Sequence, residues 1–491
     1  MKILSVPQIR AADTYTITHE PISSDDLMER AAAAFTTIFV RLYPAPQEVH
    51  IYCGMGNNGG DGLCIARQLA LRHYTVKVFV VWFNDKPTAD FSLNLQRAQH
   101  HQLNIQNLYP DSELPRAYPT LVIDALLGSG ITRPITTGFL AQIIDHLNQS
   151  FCPIIAVDMP SGLLADEHTP ATAYTIKAQQ SITFELPKLA FLMPENHLFV
   201  GEWQAVSIGL HSTYLEQTPT PYHYLTPELV KQWQRPLPKF AHKGTKGHVL
   251  VMGGSYGKIG ACVMAAQACL QIGAGLCTAY LPMCGYNSMQ TNSPEVMTLC
   301  DPEHDCLSQS PDDLSRYQAI AVGMGIGTAM LTQQFINDLL EQKIPLVLDA
   351  DALNIIAQNQ WQNRLCPNSI LTPHPKEFER LVGKTVNDFE RLERLREVAM
   401  LWQCVVVLKG AHTAIACPNG TVYFNSTGNP YMGTGGSGDI LTGIIAGLLA
   451  QQYAPNIAAL LGVFYHGQAA DRAILYQKPL RATDILRYLL V

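Results

Sequence analysis

Short runs of β-branched and aliphatic residues alternate along this chain with longer stretches whose apolar residues recur at helical spacing. In the first half the runs are Val49 to Cys53 (VHIYC), Thr75 to Phe83 (TVKVFVVWF), Thr120 to Leu127 (TLVIDALL) and Pro153 to Asp158 (PIIAVD). In the second half they are His248 to Met252, Ala319 to Val322, Pro345 to Leu348, Ser369 to Leu371 and Val405 to Leu408. A polar or glycine-rich turn and then a helical stretch follow most of them, so the pattern predicts α/β architecture with parallel, doubly wound sheets. Ahead of the first run, Ile9 to Val40 reads helical, with Ser23, Ser24 and Asp25 as caps and Leu27, Met28, Ala31, Phe35 and Phe39 on one face. From His211 to Lys239 the periodicity fades, prolines cluster, and a short helix (Pro227 to Trp233) stands alone. This divides the chain into a first domain, 1–215, a linker, 216–238, and a second domain, 239–491.

Composition narrows the class. A chain of 491 residues with 47% apolar and 15% charged residues builds large cores and is too long for one. A net charge of −7 gives no basic footprint, which argues against nucleic acid as a partner. The twelve cysteines are scattered without a C-x-x-C pair, the pattern of reduced thiols, and no zinc site is expected. The opening MKILSVPQIRAADTY lacks the apolar stretch of a secretion signal, and no apolar run reaches the ~20 residues of a membrane helix. A cytoplasmic protein with no membrane partner is expected, working as a homo-oligomer.

Chemistry concentrates in glycine loops. Tyr431 to Leu441 (YMGTGGSGDIL) leads into the near-continuous apolar run Ile440 to Leu449, read as a buried helix that Asp439 opens. Gly433, Gly435, Gly436 and Gly438 can take positive φ and aim N–H groups at one point, where the helix adds roughly half a positive charge. That is an anion cradle. Asp439 beside it is placed to accept a proton from a hydroxyl attacking a phosphate, or else simply caps the helix. Asp351 is read as the N-cap of Ala352 to Gln358. His374, between Pro373 and Pro375, is read as standing over the sheet edge, and Lys409 to Thr413 as a phosphate site through Lys409 and bare N–H groups or as a tight turn. Gly257-Lys258 and Gly383-Lys384-Thr385 fail as phosphate loops for want of the upstream glycine.

In the first half Gly54, Gly56 and Gly59 match the dinucleotide fingerprint, but Asn57, Asn58 and Asp61 in the same loop point to polar recognition or a cation instead. Asp124, the GSGITRP loop from Gly128 to Pro134, and Asp158 followed by Ser161 and Gly162 converge on the same predicted strand edge, where doubly wound sheets bind ligands. Asp158 is the candidate acid/base.

LMERA at Leu27 to Ala31, GNNGGDG, DALLGSG and VDMPSG stand in an order that resembles the NAD(P)H-hydrate epimerases, a Rossmann-like three-layer sandwich, across residues 1 to about 210. The resemblance implies that Asn58, Asp124 and Ser161 ligate potassium. It further implies that Asn57, Asn58, Gly59, Gly60, Asp61, Gly128, Ser129, Gly130, Ile131, Thr132, Arg133, Pro134 and Asp158 contact the hydrated nicotinamide nucleotide. HKGTKG, MGGS, GACVMAA, GAGL, DADALN, TPHPKE, LKGAHT and GTGGSGD are similar to the ADP- or ATP-dependent NAD(P)H-hydrate dehydratases, a branch of the ribokinase-like fold. That implies Lys409, Gly410, Ala411, His412, Thr413 and Gly438 on the adenine nucleotide, ADP in fused two-domain relatives, with magnesium. Ala261, Gly325, Gly327, His374 and Asp439 would face the hydrate, with Asp439 deprotonating its hydroxyl. Met324 stands where relatives often carry proline, which predicts a looser loop around Gly325 and Gly327.

Together the two halves imply repair of NADH and NADPH hydrates, by epimerisation and then dehydration. A ribokinase-like vitamin or sugar kinase would use the same anion cradle but has no need of Asn58, Asp124, Asp158 and Ser161. A non-catalytic binding module like the RNA-decapping scaffolds would have lost those residues and gained interaction tails.

Overall fold

The computed structural model describes residues 1–115, 120–476 and 478–490, so the expected domain end at 491 lies outside the described residues. The chain divides into two units, one of Lys2–Thr220 with Asn387–Phe389, the other of Met1, Pro221–Val386 and the chain from Glu390 onward.

In the first unit the apolar runs become strands of one parallel sheet. These are β1 (Glu48–Cys53), β2 (Thr75–Val81), β3 (Asn104–Leu108), β4 (Leu121–Ala125), β5 (Ile154–Val157), β6 (Gln180–Phe184) and β7 (Glu202–Val206), in the order β3-β2-β1-β4-β5-β6-β7. β4 and β5 are buried along their whole length, as strands covered on both faces must be. One face packs under helices Ser24–Leu42, Asn57–Ala70 and Ala89–His100 through Phe35, Phe39, Leu63 and Phe91. The other lies against helix Phe139–Gln149 through Ile143, Ile144 and Leu147, giving three layers. Strand order reverses between β1 and β4, which opens a crevice at their carboxyl ends. The expected helical span Ile9 to Val40 is two helices, Val6–His19 and Ser24–Leu42. Pro21 separates them, since it lacks an N–H and disfavours helical backbone before it. The Ser23 side chain then caps the second helix by accepting from Asp26 N at 3.0 Å.

The second unit carries β8 (Tyr222–Tyr224), β9 (His248–Met252), β10 (Leu276–Leu281), β11 (Met297–Cys300), β12 (Ala319–Val322), β13 (Val347–Leu348), β14 (Ile370–Leu371), β15 (Val405–Leu408), β16 (Ala414–Ala416) and β17 (Val422–Phe424). Their order is β11-β10-β9-β12-β13-β14-β15-β16-β17-β8, and order again reverses at β9 and β12. β15, β16 and β17 run antiparallel and the other pairs are parallel. Helices Ile259–Gln271, Ser437–Ala450 and Pro455–Ala473 supply much of the core, with Ala265, Ala268, Ile444, Leu448 and Phe464 buried.

The segment expected as a linker, 216–238, is largely structured. β8 pairs in parallel with β17, helix Pro227–Trp233 is capped by the Thr226 side chain, and Leu225 and Val230 are buried in the second unit's core. A strand of three residues carries too little periodicity to be read from the sequence. Among the described residues no helix is long and apolar enough to cross a membrane, and the twelve cysteines are free.

Candidate active sites

At the crevice of the first unit, helix Asn57–Ala70 begins inside the glycine loop with Gly56 as its N-cap. Asn57, Asn58, Gly59, Gly60 and Asp61 therefore form its first residues, where a free loop was expected. Gly59 lies so close to the preceding turn that an added Cβ would stand 1.8 Å from the Gly54 carbonyl oxygen. Asn58 is 8% exposed, abuts Gly128, and leaves its Nδ2 buried without a partner. Asp124, near the end of β4, accepts from Ser161 N at 2.8 Å and from Ser161 Oγ at 2.6 Å. Burial pushes its carboxyl up to about 6 against these hydrogen bonds.

Asp158 follows β5 with φ of 65°, a left-handed backbone that Asp tolerates better than most residues. Its Oδ1 accepts from Lys188 Nζ at 2.8 Å, Thr183 Oγ1 at 3.0 Å and Phe184 N at 3.2 Å. Burial alone would raise its pKa; the Lys188 ammonium and these hydrogen bonds outweigh burial and hold the carboxyl below its usual range. Asp61 moves the opposite way, raised well above the usual value by burial and then by the charges of Asp158 and Asp13. These groups share a cavity of about 640 Å³ with Asn57, Asn58, Gly128, Ser129, Gly130 and Ile131. Thr132, Arg133 and Pro134 are exposed and do not line it. Sequence reading missed Lys188, whose one signal was a lone cation within the apolar stretch LPKLAFL.

In the second unit helix Ser437–Ala450 starts two residues earlier than expected, so Asp439 sits in its first turn and is not its N-cap. That position belongs to Gly436 at φ of 94°; Gly433, Gly435 and Gly438 have no positive φ. The cradle thus needs one glycine for its backbone conformation. Gly438 lies beside Lys409 and Asp349: a Cβ there would make ordinary contacts, 3.4 Å from Lys409 Nζ and 3.7 Å from Asp349 Oδ2.

Asp349, the N-cap of helix Ala350–Gln358, turns its carboxylate inward to accept from Lys409 Nζ at 2.9 Å and Thr442 Oγ1 at 2.8 Å. Asp351, expected as that N-cap, lies inside the helix and accepts from Gly327 N at 2.9 Å. Asp439 makes no side-chain hydrogen bond among the described residues. Burial, then Asp349 and Asp351, push its carboxyl up to about 7, with Lys409 pulling the other way. His374 caps helix Pro375–Val382 by accepting at Nδ1 from Lys376 N and Glu377 N, and Glu377 in turn stands 3.9 Å from Lys409.

Gly325 and Gly327 both have positive φ, and a Cβ on Gly325 would stand 3.2 Å from that of Ala261. The looser loop expected from Met324 is not found: Met324 is fully buried and its carbonyl accepts from Gly254 N at 2.8 Å. At the other side Gly410 N donates to Thr413 Oγ1 at 3.2 Å, so this N–H is not bare, and His412 Nδ1 lies 3.3 Å from the Asn425 carbonyl. Asp349, Glu377 and Thr442 were missed. DADAL offered two carboxylates at one strand end, and only the fold shows that the first faces Lys409. Among the described residues no group of three or more His, Cys, Asp or Glu is placed to hold a metal ion.

Residues 249–490 match the NAD(P)H-hydrate dehydratase family, and residues 24–190 match the family described as YjeF-related protein N-terminus. A bifunctional NAD(P)H-hydrate repair enzyme of Moorella thermoacetica is 36% identical over all of this chain and 96% of its own length. One from Coxiella burnetii is 34% identical over 99% of this chain and 98% of its length. Among solved structures, a ribokinase-like superfamily protein from Enterococcus faecalis aligns with 55% of this chain and 95% of its own, at 27% identity and a TM-score of 0.50. On these matches over its whole length, this chain belongs to the family of bifunctional NAD(P)H-hydrate repair enzymes.

Proposed function

We propose that the first unit interconverts the R and S hydrates of NADH and NADPH, and that the second dehydrates the S-hydrate at the expense of ADP, releasing AMP and phosphate. Asp439 carries the reading: a carboxyl poised near neutrality, free of hydrogen bonds, in the first turn of a helix whose N-terminus favours anions. Ionised, it takes the hydroxyl proton of the hydrate as that oxygen attacks the terminal phosphoryl group of the nucleotide. The phosphorylated oxygen then leaves with its electron pair as phosphate while the adjoining ring carbon gives up a proton to water, and the C–H electron pair restores the ring double bond of the reduced nicotinamide. Lys409, paired with Asp349, supports this by favouring the ionised form of Asp439 against burial and the charges of Asp349 and Asp351. Magnesium, when bound with the nucleotide, would supply positive charge to its phosphates.

In the first unit Asn57, Asn58 and the loop from Gly128 hold the nucleotide, and Asp158 moves the proton of the hydroxyl. Asn58, Asp124 and Ser161 fit a potassium ion. Their amide, carboxylate and hydroxyl oxygens are hard ligands, Asp124 is buried without a cationic partner, and turning the Asn58 amide to present its oxygen breaks no hydrogen bond of Nδ2. When bound it supplies positive charge at the strand ends that face the substrate. We place the protein in the cytoplasm as a homo-oligomer.

Absorbance in the reduced nicotinamide band tests the reading, using mixed R and S hydrates with ADP, ATP or neither. Full recovery with ADP is expected. Recovery of the S fraction alone removes the epimerase role, and recovery with ATP but not ADP reverses the donor.

A further inference from the structure

Helix Val6–His19 lays one face along the cavity of the first unit. Arg10, Asp13, Thr14 and Ile17 all line it, the spacing of a single helical stripe. Arg10 Nη2 donates to the Gly130 carbonyl at 3.1 Å, which ties that stripe to the loop proposed to hold the hydrate. Asp13 makes no side-chain hydrogen bond or ion pair among the described residues. Charged groups surround it from every side: Arg10 on its own helix, Asp158 after β5, Glu185 and Lys188 after β6, and Asp61 in helix Asn57–Ala70. A second, independent feature, on helix Asn57–Ala70, marks the same cavity as built for a ligand. Asn58 is 8% exposed, lines this cavity, and keeps an unpartnered Nδ2.

We propose that Asp13 is the proton donor of the epimerisation, acting on the ring nitrogen while Asp158 acts on the hydroxyl. The proposal rests on the reading of the first unit as an epimerase. In the hydrate the carbon bearing the hydroxyl also carries the ring nitrogen. As Asp158 removes the hydroxyl proton, the O–H electron pair forms a carbonyl, the C–N bond breaks with its pair on nitrogen, and that nitrogen takes the proton of Asp13. The ring is now open, with an aldehyde at its end. Rotation about the adjoining C–C bond turns the other face of the aldehyde to the nitrogen. Closure reverses the steps: nitrogen attacks the carbonyl carbon, its proton returns to Asp13, and the oxygen recovers a proton from Asp158. No atom is gained or lost, and nothing is oxidised or reduced.

Two carboxyls divide such work only if their environments separate them. Asp158 is held ionised by Lys188, whereas burial and then the charge of Asp158 push Asp13 up to about 6, against Lys188 and Arg10. Asp61 shares the cavity and is raised well above its usual range by burial and then by Asp158 and Asp13.

The full chain, given R-hydrate without any nucleotide, tests this by chromatographic measurement of S-hydrate formation above the uncatalysed rate. Asp13→Asn is expected to lower kcat by ~100-fold with little change in KM, and to abolish the fall in wild-type rate as pH rises through about 6. Asp13→Glu is expected to retain the rate within ~10-fold and to keep that fall. Wild-type kcat and pH profile in Asp13→Asn would overturn the proposal, as would Asp13→Glu failing as badly as Asp13→Asn. Wild-type protein that forms no S-hydrate would overturn the epimerase reading itself.

Discussion

Each unit sets a carboxylate in its candidate site, Asp158 directly after β5 and Asp439 in the first turn of helix Ser437–Ala450, and the two are treated in opposite ways. In the first, the cation bonds directly to the candidate: Lys188, 2% exposed, favours the ionised form of Asp158. In the second, the cation is one residue removed: Lys409 bonds Asp349 and leaves Asp439 unbonded and near neutrality. Moving one ammonium from the carboxylate to its neighbour therefore changes what the group can do. A clamped carboxylate rests charged, gives back quickly any proton it takes and needs a partner acid, whereas an unclamped one is a base that nearby charge tunes.

The sharpest break of this contrast is Asp439→Ala, which should lower dehydration by ~10³-fold while R-to-S conversion continues, as chromatography with and without ADP would show. Next is Lys188→Met. Stranding Asp158 in a buried site should cost the first unit ~3 to 5 kcal/mol, visible by calorimetry, and should abolish epimerisation. A third effect is pH dependence. With Asp439 at about 7, dehydration at pH 6 should run ~10-fold below its alkaline plateau.

The signs for stability are opposite in the two units. The folded value of Asp439 lies above its ordinary 3.8, so stability falls as pH rises from about 4 to about 7, and Asp439→Asn should melt higher than wild type above that range. Asp158 is shifted down, so its contribution is present above 3.8 and is lost as pH falls through its folded value. The smallest effect is that of potassium. Replacing it with tetramethylammonium should slow epimerisation a few-fold and leave dehydration of pure S-hydrate unchanged.

Strand, loop and helix alternation was legible because buried parallel strands are nearly pure apolar runs and each loop announces itself with glycines. The strand-end carboxylates Asp124 and Asp158, and Asp439 after its glycine loop, were legible for the same reason. Their partners were not. Lys188 reaches Asp158 across 30 residues and Lys409 reaches Asp349 across 60, so neither pairing leaves a local pattern. Asp13 carries no local signal of its own, and only the fold lays its helix along a cavity. The edges were illegible too: β13 and β14 have two residues each, and β8 joins the far end of a sheet whose other strands come later in the chain.

β8 bears on how the second half can be studied alone. A fragment beginning at Lys239 would discard that outermost strand and helix Pro227–Trp233, stripping Leu225 and Val230 from the packing and baring the hydrogen-bonding rim of β17. Such a fragment would be prone to self-association through that rim, whereas one cut at Pro221 keeps its own cover.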